Sequence, residues 1–179
     1  MEALLRFAGA VDRVNMLLGK AANWMGLAAV VISSGAAVLR YALNIGSNAW
    51  LEIQWYLFAG MVMLGASYTL KLNEHVRVDV LYSRYSERAR LWLDFIGGIV
   101  FLLPMTIMIG WLAWPMVANS YAVHEYSSSP GGLLRWPVKL LVPVGFALLT
   151  LQGISEIIKR VAALAGRLAL DAKYERPLQ

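Results

Sequence analysis

The sequence predicts an all-α integral membrane protein with four transmembrane helices, both termini in the cytoplasm, and an N-terminal amphipathic helix at the membrane interface. The chain has 59% hydrophobic residues and a mean hydropathy of +0.58, which is more apolar than an ordinary soluble domain. Its charged residues leave four long apolar stretches between them. Since a bilayer core of about 30 Å needs about 20 helical residues, each stretch predicts a membrane span.

The distribution of Lys and Arg predicts the orientation of these spans. With the N-terminus in the cytoplasm, the outer segments contain Arg40, Arg135 and Lys139, and the other thirteen of the sixteen basic residues lie inside. This bias places both termini in the cytoplasm by the positive-inside rule. The net charge of +5 therefore indicates orientation and contact with anionic lipid, and we expect no nucleic-acid partner.

The predicted elements follow one another in a single domain over residues 1–179. Residues 1–20 predict an amphipathic helix, because apolar residues recur there at steps of three and four. These residues are Leu4, Phe7, Val11, Val14 and Leu18. Two interpretations stay open, one in which this helix lies on the inner leaflet and one in which it docks against a partner subunit. The spans are predicted at about 21–40, 52–71, 93–115 and 137–158, followed by a cytoplasmic tail at 159–179.

The connections predict how the spans are arranged. A short polar turn after Tyr41 predicts that spans 1 and 2 form a helical hairpin. Ser86 is the expected N-cap of the helix that enters span 3. Within span 3, Pro104 is expected to kink the helix. The membrane edge is expected near Pro115, and an outer loop over residues 116–139.

Two further patterns concern the packing and the ends of the spans. Ala29, Ser33 and Ala37 recur every four residues in span 1, a spacing that lets helix backbones approach closely. Lys139 and Glu156 bound the short fourth apolar stretch. Both are expected to extend toward the membrane surface.

The sequence lacks the residues that catalysis or autonomous transport would need inside the membrane. The chain has no cysteine, and His75 and His124 fall in connections, which argues against a haem-binding cytochrome. It contains no phosphate-binding loop and no intramembrane protease motif. Between their charged ends, the spans hold no ionisable residue of the kind that carriers place near the bilayer midplane. We therefore expect no enzyme activity, no cofactor and no bound metal.

Residues at the edges of the spans are the candidates for functional contacts. Arg40 and Glu52 flank the turn between spans 1 and 2. They are either two independent residues that extend toward the interface or a pair that fixes the hairpin or contacts a partner. Trp50 suits an interfacial aromatic belt. His75 and Asp79 are four residues apart, and they favour a polar surface network over a metal site.

The region from residue 38 to residue 79 resembles the core of a known family. Its elements match in order and spacing, and they are Arg40-Tyr41, Trp50 before Glu52, Gly65-Ala66, and the segment from His75 through Arg77 to Asp79. Together they resemble the small membrane subunit, of DctQ type, of tripartite ATP-independent periplasmic (TRAP) transporters. The segment 135–139 is similar to one branch of that family. The structural or partner-contact candidates are Arg40, Trp50, Glu52, His75, Arg77 and Asp79.

This resemblance implies a role in a three-component transport system of the bacterial inner membrane. In that family a periplasmic substrate-binding protein captures an organic acid, and a large multispan subunit carries it with sodium. The small subunit stays bound to the large one as a noncatalytic scaffold. The alternative is a membrane anchor subunit of an oxidoreductase or another enzyme complex, and a small autonomous multidrug exporter is a weaker third option.

Overall fold

Four long helices make up the part of the chain that this computed structural model describes, which is residues 1–74 and 84–168. Helix α1 is Glu2–Leu43, α2 is Asn48–Leu72, α3 is Glu87–Ala122 and α4 is Trp136–Leu164. Among these residues, β structure is limited to an isolated bridge between Tyr126 and Leu134. The predicted all-α class is therefore confirmed.

Three of the described helices, α1, α3 and α4, are long and apolar enough to cross a membrane. They contain the spans predicted at 21–40, 93–115 and 137–158. The span predicted at 52–71 lies in α2, a helix of 25 residues. Helix α2 has the necessary length, but Trp, Tyr and Gln side chains interrupt its run of aliphatic residues. The fourth span therefore stays a prediction, as does the orientation of the bundle.

Helix α1 is a single helix of 42 residues that runs without a break from the predicted amphipathic segment into the first span. The residues that it buries are Ala8, Val11, Asn15, Gly19 and Ala22. Of the expected apolar stripe, Val11 is buried, whereas Leu4, Phe7 and Val14 are exposed. The packed face is rotated toward small residues, because these let helices approach more closely than large ones do. An amphipathic helix at the membrane interface stays a prediction.

Helix α4 lies at the centre of the bundle, where it packs against α1, α2 and α3. Helices α1 and α2 pack along each other, which confirms the predicted hairpin. Glycines allow the closest contacts between helices. A Cβ on Gly145 of α4 would lie 2.8 Å from the backbone oxygen of Met63 in α2, and a Cβ on Gly19 of α1 would overlap the ring of Tyr68. Helices α2 and α4 therefore meet at the backbone.

Helix α3 contains a π-helical turn at Gly98–Leu102, which ends two residues before Pro104. A proline has no N–H group, and in a regular α-helix its ring collides with the carbonyl group four residues earlier. The π turn changes the hydrogen-bond register at this point, since the Leu103 N–H donates to the oxygen of Gly98, five residues back. The disturbance predicted at Pro104 takes this form.

The start of α3 agrees with the prediction from the sequence, whereas its end differs from that prediction. Ser86 caps the start of the helix, as predicted. The helix continues through Pro115 to Ala122, because a proline removes one backbone hydrogen bond without having to end the helix. The connection to α4 therefore comprises residues 123–135 and is shorter than the loop predicted over residues 116–139.

Candidate functional site

Two clusters of polar side chains join the helices, and the first is a buried group that we call the amide cluster. It consists of Asp12 and Asn15 of α1, Ser67 of α2, and Gln152 and Ser155 of α4. Asn15 Nδ2 donates to Gln152 Oε1 at 2.7 Å, and the Ser67 hydroxyl donates to Asn15 Oδ1 at 2.9 Å. Gln152 Nε2 donates to Asp12 Oδ1 at 2.9 Å, and Ser155 Oγ donates to the same oxygen at 3.2 Å. Apart from Asp12, the members of this cluster are at most 1% exposed, so three helices are tied mainly through groups that water does not reach.

A series of ion pairs, which we call the charge chain, continues from Asp12. Lys159 Nζ lies 3.0 Å from Asp12 Oδ2 and also pairs with Glu156. Arg160 lies 2.7 Å from Glu156 Oε2 and 3.2 Å from Asp94 Oδ2 in α3. These five side chains are 12–22% exposed, so each charge is partly desolvated and its opposite neighbours offset that cost. The alternating charges connect α1, α4 and α3.

Neither the amide cluster nor the charge chain is among the features predicted from the sequence. Glu156 was expected to extend toward the membrane surface, but it pairs with Lys159 and Arg160. One signal was available, since Gln152 is an amide within a long apolar stretch and a buried amide needs a partner. Its partner Asn15 lies 137 residues away in the sequence. Only the folded chain identifies that partner.

The second cluster, which we call the loop cluster, attaches the 123–135 connection to the start of α2. Glu52 of α2 is 4% exposed. Its Oε2 accepts from the Leu133 N–H at 2.7 Å, and its Oε1 accepts from the Ser127 hydroxyl. Arg135 Nη2 lies 4.0 Å from Glu52 Oε1 and donates to Ser127 Oγ at 3.1 Å. A single carboxylate therefore holds both sides of the loop.

Further contacts hold the same connection in place. The Tyr56 hydroxyl donates to the Leu134 oxygen at 2.9 Å. Lys139 was expected to extend toward the membrane surface, but it pairs with Glu125. The hydrogen bond from Lys139, together with its charge, holds the pKa of the Glu125 carboxyl below its usual range. The pair therefore contributes at neutral pH, and its contribution is lost as the pH falls through that lowered pKa.

The structure separates the candidates Arg40, Trp50 and Glu52 into two places. Glu52 belongs to the loop cluster, where its cationic neighbour is Arg135 rather than Arg40. Arg40 and Trp50 line one cavity at the turn between α1 and α2. Within residues 1–74 and 84–168, the Arg40 side chain makes no hydrogen bond or ion pair. The remaining candidates, which lie outside the described residues, are His75, Arg77 and Asp79.

Comparison with protein families adds an independent observation to this geometry. Residues 13–163 match the family described as "Tripartite ATP-independent periplasmic transporters, DctQ component". The matched region includes both clusters apart from Asp12. The chain belongs to the DctQ family. The resemblance seen over residues 38–79 is therefore confirmed, and the chain is a DctQ-type TRAP subunit.

A curated relative of this DctQ chain is the C4-dicarboxylate TRAP transporter small permease protein DctQ of Pseudomonas aeruginosa. The two proteins are 28% identical over 143 residues, which take in 77% of this chain and 65% of the relative. The chain thus spans less than two thirds of the length of the relative that it matches. No solved structure matches the chain.

The polar groups of the DctQ chain join its helices to one another and to the 123–135 connection. The DctQ family is a transporter component. In the described ranges, no group of three or more His, Cys, Asp or Glu side chains is placed to hold a metal ion. The carboxylates of Asp12, Glu52 and Glu156 accept hydrogen bonds from groups of the same chain. Their observed role is to join helices and loop.

Glu52→Gln is expected to loosen the 123–135 connection of the DctQ chain. The substitution keeps the size of the side chain but replaces the carboxylate, which accepts hydrogen bonds from the Leu133 N–H and the Ser127 hydroxyl, with a neutral amide. Because a hydrogen bond to a charged group contributes about 1.5–3 kcal/mol, local opening of this loop should become easier by about 1–2 kcal/mol. Hydrogen exchange of the loop amides measures that free energy.

Glu125→Gln in the same loop is the matched control for Glu52→Gln. Its side chain is 36% exposed where it pairs with Lys139, and such a solvent-facing ion pair contributes about 0–1 kcal/mol. The control should therefore change the exchange of the loop amides less than Glu52→Gln does. Equal changes in both variants would contradict the central role of Glu52.

Proposed function

We propose that this chain is the small noncatalytic scaffold subunit of a sodium-coupled TRAP transporter for organic acid uptake. In this proposal it forms a stable heterodimer with a large multispan subunit in the bacterial inner membrane, and it meets a periplasmic substrate-binding protein transiently. The family match over residues 13–163 supports this assembly. The relative is named for C4-dicarboxylates, so these are the organic acids that we propose as substrates of the assembled transporter.

The observation that carries the proposal is the way in which the bundle uses its polar groups. The amide cluster ties α1, α2 and α4, and the charge chain ties α1, α4 and α3. A satisfied buried network favours one arrangement of its helices, since any other arrangement leaves polar groups unpaired. A subunit that carries substrate must alternate between arrangements, whereas a scaffold keeps one. The bundle suits the second task.

The proposed membrane arrangement has four spans, with α2 as the second, and both termini in the cytoplasm. The bias of Lys and Arg supports this orientation. The loop cluster then lies on the periplasmic side, and the charge chain lies toward the cytoplasm. We further propose that residues 1–20 form an amphipathic helix at the inner interface and that residues 159–179 form a cytoplasmic tail of the single domain.

The candidate residues take different roles in this proposal. Glu52 is structural, because it holds the 123–135 connection. Trp50 is an interfacial anchor, since it is 45% exposed beside the turn that joins α1 to α2. The candidate contacts for the large subunit are His75, Arg77 and Asp79.

Uptake by proteoliposomes tests the proposed function. The purified chain alone is expected to give no sodium-dependent uptake of a C4-dicarboxylate. Vesicles that contain the chain, its large membrane subunit and the binding protein should take it up, and vesicles that lack only this chain should not. Robust uptake by the chain alone would show that it is itself a carrier.

The anchor-subunit alternative has a separate test. A haem absorption spectrum of the purified chain, or its co-purification with a soluble redox subunit, would support that alternative and contradict the scaffold. The family match does not favour it. Co-purification with a large multispan permease would support the scaffold.

A further inference from the structure

The turn between α1 and α2 contains a cavity of 240 Å³ that the scaffold role does not explain. Its walls come from the end of α1, the connecting turn and the start of α2. Among the described residues that line the cavity, Arg40 is the single charged one, and none is Asp or Glu. The cavity therefore has a positive electrostatic character.

Two features of this cavity favour a ligand with anionic oxygen atoms. Arg40 has no hydrogen-bond or ion-pair partner among the described residues, so its guanidinium N–H groups are available to a ligand. The cavity also borders the start of α2, where Ser47 Oγ accepts from the Ala49 N–H at 3.3 Å and where the helix carries partial positive charge. A guanidinium binds two oxygens of one phosphate at once.

The position of the cavity indicates where that ligand comes from. Arg40 lies near the end of α1, a helix long and apolar enough to cross a membrane. Tyr41 is 87% exposed and Trp50 is 45% exposed, and both rings suit the level of lipid headgroups. Ser33 also lines the cavity and precedes Arg40 by seven residues. At about 1.5 Å per residue, the cavity follows α1 into the membrane for about 10 Å.

We propose that this cavity binds a membrane phospholipid, with Arg40 as the ligand of its phosphate. Ser33 and Ala37, small residues on α1, leave room beneath the phosphate for the glycerol and the start of an acyl chain. The volume is below the roughly 300 Å³ at which pockets for whole drug-sized molecules begin, so it holds part of a lipid. An acidic side chain of a partner protein would satisfy Arg40 but would leave the deep part of the cavity empty.

Native mass spectrometry of the full chain tests this assignment. The delipidated protein is incubated with phosphatidylglycerol or with diacylglycerol that has the same acyl chains and no phosphate. The wild type should bind phosphatidylglycerol about tenfold more tightly, since charge-assisted hydrogen bonds to the phosphate are present in one lipid only. Arg40→Gln should abolish this preference, and the folding of the variant should be unchanged because the Arg40 side chain makes no hydrogen bond or ion pair within the described chain.

A second pair of variants tests the deep part of the cavity. Ala37→Leu fills it and should weaken the binding of both lipids. Gly35→Leu is the matched control on the same helix, because a Cβ at Gly35 meets nothing within 4 Å. The control should bind both lipids like the wild type.

Three independent results would overturn the proposal. An Arg40→Gln variant that keeps the preference for phosphatidylglycerol would exclude Arg40 as the phosphate ligand. If that variant kept the preference and no longer co-purified with the large membrane subunit, Arg40 would be assigned to a protein contact. Displacement of the lipid by inorganic phosphate would identify a site for free anions. Equal binding by Ala37→Leu and Gly35→Leu would exclude an acyl chain from the cavity.

Discussion

Gly145→Ala should lower the free energy of unfolding of this protein by about 1–2 kcal/mol, which is the cost of the close contact less the gain in helix propensity. The new Cβ would lie 2.8 Å from the backbone oxygen of Met63 and 2.9 Å from its Cβ. Because the obstacle includes backbone, no rotation of a side chain relieves it, and α2 and α4 must move apart. Overpacking a close interface costs about 1–3 kcal/mol, and the upper part of that range applies where the backbone has to shift. Unfolding by sodium dodecyl sulfate, followed by circular dichroism, measures the change.

Gly35→Ala is the matched control for this glycine. Both substitutions raise helix propensity by about 1 kcal/mol, but a Cβ at Gly35 meets nothing within 4 Å. The difference between the two variants therefore isolates the contact with α2. Gly19→Ala should fall between them, since the neighbour there is the ring of Tyr68, which is a side chain and is able to turn. Equal stability of the Gly145 and Gly35 variants would contradict the close approach of α2 and α4.

Gln152→Leu is expected to lower the free energy of unfolding by about 2 kcal/mol. Leucine fills a similar volume, but it leaves the Asn15 amide without its acceptor, and Asn15 is 1% exposed. A buried polar group left unpaired costs about 1–3 kcal/mol. Asp12 loses one hydrogen bond and keeps those from Ser155 and Lys159. The same detergent titration measures the loss.

Two comparisons test whether the loss of stability comes from the amide cluster in particular or from the removal of any polar side chain. Thr150→Val is the matched control on α4. The Thr150 hydroxyl contacts Thr106 and its own helix carbonyl at Phe146, so its removal should cost only about 0.6 kcal/mol. The double variant Asn15→Leu with Gln152→Leu should lose less stability than the sum of the single variants, because neither amide then remains unpaired. Strict additivity would show that the two amides do not act together.

The sequence predicted the parts of the fold that depend on local properties of the chain. The length of an apolar stretch and the charges that bound it can be recognised in a window of about 20 residues. From these two properties the sequence located three helices that have the length and apolarity to cross a membrane. Capping is also local, so Ser86 was identified correctly at the start of α3. The element that local hydropathy leaves least certain is α2, where aromatic residues lie among aliphatic ones.

The candidate site shows where such local reasoning ends. Glu52 was singled out from the sequence, but its partners were not, since Ser127 and Leu133 lie 75 and 81 residues away. Arg40 was considered together with Glu52 because the two residues flank the short turn between spans 1 and 2. In the structure, Glu52 lies in the loop cluster and Arg40 lines a cavity. Which partner a charge takes depends on the direction in which each helix faces.

By itself, the sequence determined an all-helical membrane protein, because composition and periodicity are properties of the linear chain, and its motifs resembled the DctQ family that the family match then confirmed. The tertiary structure decided which face of each helix is packed. Small residues and buried amides meet along α1, α2 and α4, while large apolar residues such as Phe7 and Val14 are exposed. In lipid, apolar side chains gain little from burial, so close contact and hydrogen bonds choose the packed face.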